Sequence, residues 1–181
     1  YEHVGELLRK INENKLEGFG VVKVENGALK GKFDTWKENW EDQKNHDRKS
    51  LDFAINNNFV TLEEAKMIEE IHKEITALDF GQASLIHRDM HHGHFFIEGT
   101  NISGIIDLGA LTASDPRYDI ANSLVFQNPR EQEHFKKGYG ELAYEPMVNK
   151  YLIIIAIRKI FFRSKFEIQG KVDLLTPILK K

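Results

Sequence analysis

The residues able to do chemistry crowd into one stretch of this chain of 181 residues. The stretch runs Leu85-Ile86-His87-Arg88-Asp89-Met90-His91-His92-Gly93-His94-Phe95-Phe96-Ile97 and is followed by Ile106-Asp107-Leu108-Gly109. Asp115-Pro116-Arg117-Tyr118-Asp119-Ile120-Ala121 comes next. A loop between two short strands would present Asp89 and, five positions later, His94. A hairpin would then return the chain so that Asp107, at the end of its second strand, lies beside that loop. Two carboxylates and an imidazole in one polar pocket suit a divalent cation and a transferring phosphoryl group. Such a transfer asks for little covalent chemistry: a carboxylate to accept the hydroxyl's proton, and metal ions to hold and neutralise the phosphates.

Several elements must position those residues. Val4, Leu7, Leu8 and Ile11 share one helical face, which predicts a helix over 3–15. Gly18-Phe19-Gly20 closes that region, and Asn26-Gly27 marks a turn, with room for a short hairpin in 21–33. Asp34 or Thr35 can cap a helix carrying Trp36 and Trp40 one turn apart. Those tryptophans read as core packing rather than as a substrate pocket. The charged run Glu41 to Lys49 reads as a solvated face, and Ser50 as a restart. Thr61-Leu62-Glu63-Glu64 is a capping box that opens a helix through Ala65, Ile68, Ile71, Ile75 and Leu78. Ser84-Leu85-Ile86 reads as a strand, and Phe95 to Ile97 and Ile102 to Ile106 as two more, joined by Gly99-Thr100-Asn101. Pro116 starts a helix to about Phe126, Pro129 starts another, and a central helix covers roughly Pro146 to Arg163. The last ten residues have a weaker pattern. The layout is mainly α, in the α+β sense, with one small β region between 84 and 107.

Composition narrows the classes. Apolar residues at 41% and charged residues at 29% describe a soluble globular domain. A net charge of -3 argues against nucleic acid as a partner, since such proteins carry a basic face. There is no cysteine, which excludes disulfides and thiolate metal sites. The longest apolar run, Tyr151 to Ile157, is too short to span a bilayer and is closed by Arg158-Lys159. No membrane partner is expected, and the cytoplasm is the expected location.

The linked motifs carry a resemblance. His-x-Asp, then a metal ligand, then Ile-Asp-x-Gly resembles the catalytic and metal-binding loops of kinases. With the downstream Asp-Pro-x-Tyr-Asp-x-Ala, it is similar to the aminoglycoside phosphotransferase and choline kinase superfamily over roughly residues 3–126. The resemblance implies the helical carboxyl-terminal lobe of the kinase-like fold, with a small β-hairpin at the cleft. It implies a single unit over residues 1–181, without the amino-terminal nucleotide lobe, and therefore poor turnover by this segment alone. It also implies ATP or GTP as donor, Mg²⁺ as cofactor, and a hydroxyl of a small molecule as acceptor, such as an aminoglycoside or macrolide antibiotic.

Position by position, the resemblance makes Asp89 the catalytic base and Asp107 the main metal ligand. His94 is the second metal ligand, where most members have Asn. Phe96 and Ile106 form the apolar floor under the nucleotide base, and Asp119 supports the catalytic loop. His87 reads as structural, and His91 and His92 as solvent-facing. The acidic run Glu131, Glu133, Glu141 and Glu145 reads as a solvated helix face.

Three other readings compete. A kinase-like binding module that has lost catalysis would fit the His94 departure. The four histidines between 87 and 94 invite a zinc hydrolase, but that leaves Ile-Asp-x-Gly unexplained. Arg88 leans towards a protein kinase, where the small-molecule family more often has Gly. The short segment from Asp107 to Pro116 leaves no room for an activation segment.

Overall fold

Side-chain caps start the four helices that begin at Trp36, Leu62, Pro116 and Pro129, where the sequence places them. A computed structural model describes residues 1–79, 81–99, 101–165 and 175–179, apart from the side chain of His92. In chain order the elements are α1 (Glu2–Asn12), β1 (Lys15–Leu16), β2 (Phe19–Glu25), β3 (Ala28–Phe33), α2 (Trp36–Asn56) and α3 (Leu62–Thr76). There follow β4 (Ala83–Ile86), β5 (Phe95–Glu98), β6 (Asn101–Ile105), β7 (Thr112–Ser114), α4 (Pro116–Leu124), α5 (Pro129–Tyr139) and α6 (Pro146–Lys165). Thr35, Thr61 and Asn128 each close a reciprocal capping box, with Glu38, Glu64 and Glu131. Asp115 caps α4 by accepting from the Arg117 N–H, and Pro takes the first position of both α4 and α5.

The molecule is mostly helical with a curled antiparallel sheet of strand order β1-β4-β7-β2-β3, and β5 and β6 form a separate hairpin. The sheet is larger than the one β region expected between 84 and 107. It recruits residues from 15 to 33 and from 112 to 114. The helix expected over 3–15 stops at Asn12, because the chain must turn to pair Lys15 with Ser84. No break occurs at Ser50: α2 runs straight through it. Asn26 and Gly27, both at positive φ, make the expected turn between β2 and β3. Thr100 of the second turn and half of the last ten residues lie outside the described residues.

The core sits where α2, α3, α4 and α6 meet. Trp36 and Trp40 are buried and stacked at 5.4 Å, and the Trp36 indole N–H donates to the Ile75 carbonyl at 2.7 Å. Tyr151 packs edge-on against both Trp40 and Tyr118. Burying each of these side chains contributes about 1.5–3 kcal/mol. All seven residues from Tyr151 to Ile157 are apolar, and Tyr151 and Ile154 to Ile157 are buried, so α6 is central as expected. Elsewhere α1 and α5 touch backbone to backbone. A Cβ on Gly138 would stand 1.9 Å from the Glu2 carbonyl oxygen, so only glycine permits that approach.

Candidate functional site

Strand β4 ends at Ile86 and delivers the chain into a loop that one buried carboxylate organises. Asp119, in the first turn of α4, is fully buried. Its Oδ2 accepts from the His87 N–H and its Oδ1 from the Arg88 N–H, both at 2.8 Å. The Asn12 amide adds a donor at 3.2 Å. Burial pushes the Asp119 carboxyl up, against the pull of those three donors. Arg88 itself is left-handed, with φ 71°, and its carbonyl accepts from the Asn122 side chain. A left-handed residue turns the chain sharply and carries Asp89 out of the core.

His87 is buried and ties the loop to the hairpin. Its Nδ1 accepts from the Asp89 N–H at 3.4 Å, and its Nε2 lies 3.3 Å from the Ile106 carbonyl, to which it must donate. The expectation of a structural His87 therefore agrees with its contacts. A second imidazole makes a similar tie. His94 Nδ1 lies 2.8 Å from the carbonyl of Asp89, to which the ring Nδ1–H accordingly donates. Its Nε2 is left facing Asp107 Oδ2 at 3.5 Å. Asp107 is left-handed at φ 62°, a conformation that Asp tolerates better than most residues.

Asp89 projects between two cationic or titratable neighbours. Its Oδ1 is 3.4 Å from Lys159 Nζ, and its Oδ2 is 3.9 Å from His91 Nε2. Asp89, His91 and His94 bring one ligand atom each within 4.8 Å of one another. The two rings differ in readiness to bind a cation. His91 Nδ1 accepts from the Gly93 N–H, so its neutral ring carries the proton on Nε2. His94 donates through Nδ1, so its neutral ring keeps a lone pair on Nε2, aimed at Asp107. The structure thus brings Asp89, His94 and Asp107 into one cluster, with His94 as the bridge. Phe96 and Ile106 lie one step further along the hairpin. Phe96 pairs with Gly104, two residues before Ile106, so both occupy one face, 57% and 45% exposed.

The chain matches the model of a phosphotransferase enzyme family over residues 1–148. The chain belongs to that family. Solved structures with this phosphotransferase fold include a thermostable mutant of aminoglycoside phosphotransferase APH(4)-Ia in complex with AMP-PNP and hygromycin B, at TM-score 0.66 and 16% identity. Also similar are a Thermobifida fusca protein assigned as a fructosamine-3-kinase, at 0.63 and 17%, and spectinomycin phosphotransferase APH(9)-Ia with ADP and spectinomycin, at 0.53 and 16%. Each comparison covers 99% of this chain, but only 62%, 65% and 60% of the respective neighbour. At such identities the likeness shows the fold alone. No curated protein matches. Among the described residues no helix of this phosphotransferase family member is long and apolar enough to cross a membrane.

Two residues at the site escaped sequence reasoning. Lys159 was assigned only the role of ending an apolar run, yet α6 continues for six more residues and turns Lys159 onto Asp89. Asp47, in the stretch read as solvated, is buried against Arg158. The signal for both was a pair of cations set in an otherwise apolar central helix. In the acidic run, Glu131 serves its capping box and Glu145 pairs with Arg117 at 2.9 Å. Neither is simply a solvated charge.

Proposed function

We propose that this chain is the carboxyl-terminal catalytic lobe of a phosphotransferase that passes the γ-phosphoryl group of ATP or GTP to a hydroxyl of a small molecule. Acceptors of that kind include aminoglycoside and macrolide antibiotics and similar alcohols. The observation that carries the reading is the placement of Asp89. It leaves the fold through a left-handed Arg88, is half-exposed, and sits next to the His94–Asp107 pair. The AMP-PNP with hygromycin B and the ADP with spectinomycin in the neighbouring complexes add weight to a nucleotide donor and a small-molecule acceptor.

In this reading Asp89 orients the acceptor hydroxyl and takes its proton through whichever oxygen the hydroxyl meets. Asp119 holds the loop that carries it, by binding two successive backbone N–H groups. His94 and Asp107 fit a divalent cation. Two cis ligands of an octahedral ion stand about 3 Å apart, close to the 3.5 Å between His94 Nε2 and Asp107 Oδ2. A bound Mg²⁺ would supply charge neutralisation on the nucleotide phosphates. The imidazole is a softer donor than Mg²⁺ prefers, so Asp107 would be the dominant ligand. Phe96 and Ile106 offer an apolar face for the nucleotide base.

Asp89→Asn in the full-length protein tests the assignment. It removes the proton acceptor while keeping the shape. The expected result is a loss of about 10²–10⁴-fold in kcat with nucleotide affinity retained. An undiminished rate would refute Asp89 as the base.

A further inference from the structure

Helix α6 lays cations along one side of Asp89. Lys159 meets Oδ1, while the opposite oxygen, Oδ2, faces His91. Lys159 therefore stands across the carboxylate from the histidine cluster that includes His94. Arg163 follows one helical turn later on the same face of α6. Both cations sit over the ring of Phe126, at 5.6 Å and 4.7 Å. Asp89, Lys159, Phe126 and Arg163 thus make one continuous surface. Asp89 balances one of its two positive charges. Among the described residues no carboxylate lies within ion-pair reach of Arg163, whose Nε is buried without a hydrogen-bond partner. An oxyanion that reaches the terminal nitrogens of this guanidinium would pair with its uncompensated charge through charge-assisted hydrogen bonds.

Resting on the phosphotransferase reading above, we propose that the acceptor carries an anionic group, a carboxylate or a phosphate, beside its reactive hydroxyl. Arg163 holds that group through its terminal guanidinium nitrogens, with Phe126 backing the two cations, and Lys159 is shared between the group and Asp89. A polycationic amino sugar would meet two like charges at the same place.

Matched six-carbon probes test this on the full-length protein: glucose 6-phosphate and gluconate as anions, glucose as the neutral compound, glucosamine as the cation. Binding is followed by ligand-observed NMR with Mg²⁺ and AMP-PNP present, and turnover with ATP. The anions are expected to bind tightest, and more weakly as salt is raised. Arg163→Gln should weaken them about ten- to hundredfold, the worth of one charge-assisted hydrogen bond. Arg163→Lys, which keeps the charge and loses the fork, should fall between. Nucleotide affinity serves as the control, because an anion effect that tracked AMP-PNP binding would assign the cations to the donor and overturn the proposal. Glucosamine binding as tightly as the anions, or an Arg163→Gln variant with unchanged anion affinity, would also overturn it. The two readings fail separately. Anion binding that depends on Arg163, without any phosphoryl transfer, sinks the catalytic reading alone. Transfer to glucosamine that ignores Arg163 sinks this one alone.

Discussion

At the scale of single residues, the site depends on carboxylates whose two oxygens do different things. Asp119 gives one oxygen to the His87 N–H and the other to the Arg88 N–H. An amide of the same shape has only one acceptor. Asp119→Asn would turn an NH2 group towards a buried N–H, at a cost of about 1–3 kcal/mol. The expected outcome is a lower melting temperature together with slower phosphoryl transfer, because the same bonds set the loop that presents Asp89. A variant that melts and turns over like the wild type would remove Asp119 from that role. The role was legible in the sequence because Asp-Pro-x-Tyr-Asp-x-Ala is a local motif with a fixed place in a helix start. The backbone of Arg88 was not legible. An Arg says nothing of a φ of 71°, which is imposed by Asp119 and Asn122, more than thirty residues away. That left-handed backbone also gives a physical reason why glycine suits the position.

At the scale of elements, local signals were legible and paired signals were not. The capping boxes at Thr61 and the proline starts of α4 and α5 are written within four residues, and all appear in the fold. Strands β1 and β7 are two and three residues long, and exist only because Lys15 meets Ser84 and Thr112 meets Ile86. Helix α3 shows a further consequence of packing. It turns His72 inward, where the ring lies 5.8 Å from Trp40 and its Nδ1 has no hydrogen-bond partner. Burial holds this imidazole below its ordinary value of 6.5, with Asp47 and Glu69 pulling it up and Arg158 and Lys44 pushing it down. The folded state therefore favours the neutral ring, and the unfolded chain takes up a proton first as the pH falls. The stability contributed by neutral His72 is complete above 6.5 and is lost as the pH drops through that value towards the folded one. Urea midpoints should decline between about pH 7 and pH 5, and His72→Gln should flatten that decline. Equal slopes in the two proteins would assign the effect to another group.

At the scale of the whole molecule, one buried cation joins the first third of the chain to the last. Arg158 on α6 makes a two-pronged pair with Asp47 on α2, one prong at 2.5 Å, and donates to the Tyr118 hydroxyl on α4 at 2.5 Å. It also reaches Gln43 Oε1, which accepts from Arg88, the neighbour of Asp89, at 2.8 Å. Asp47 and Arg158 are 111 positions apart, so cations in an apolar helix could signal a buried partner but not which residue of the charged run it would be. The network ties α2, α4 and α6 to the loop that carries Asp89. Its energetics follow from burial. Taking either charge away leaves the other desolvated and alone, at about 3–5 kcal/mol, whereas replacing both with apolar residues of similar volume is close to neutral. Arg158→Met and Asp47→Leu should each lower the urea midpoint sharply, and the double variant should recover most of the loss. The coupling energy from that cycle is expected to be large and favourable. If the two losses simply add, the pair is not acting as a unit, and the link from α2 through α6 to the loop that carries Asp89 must run through packing alone.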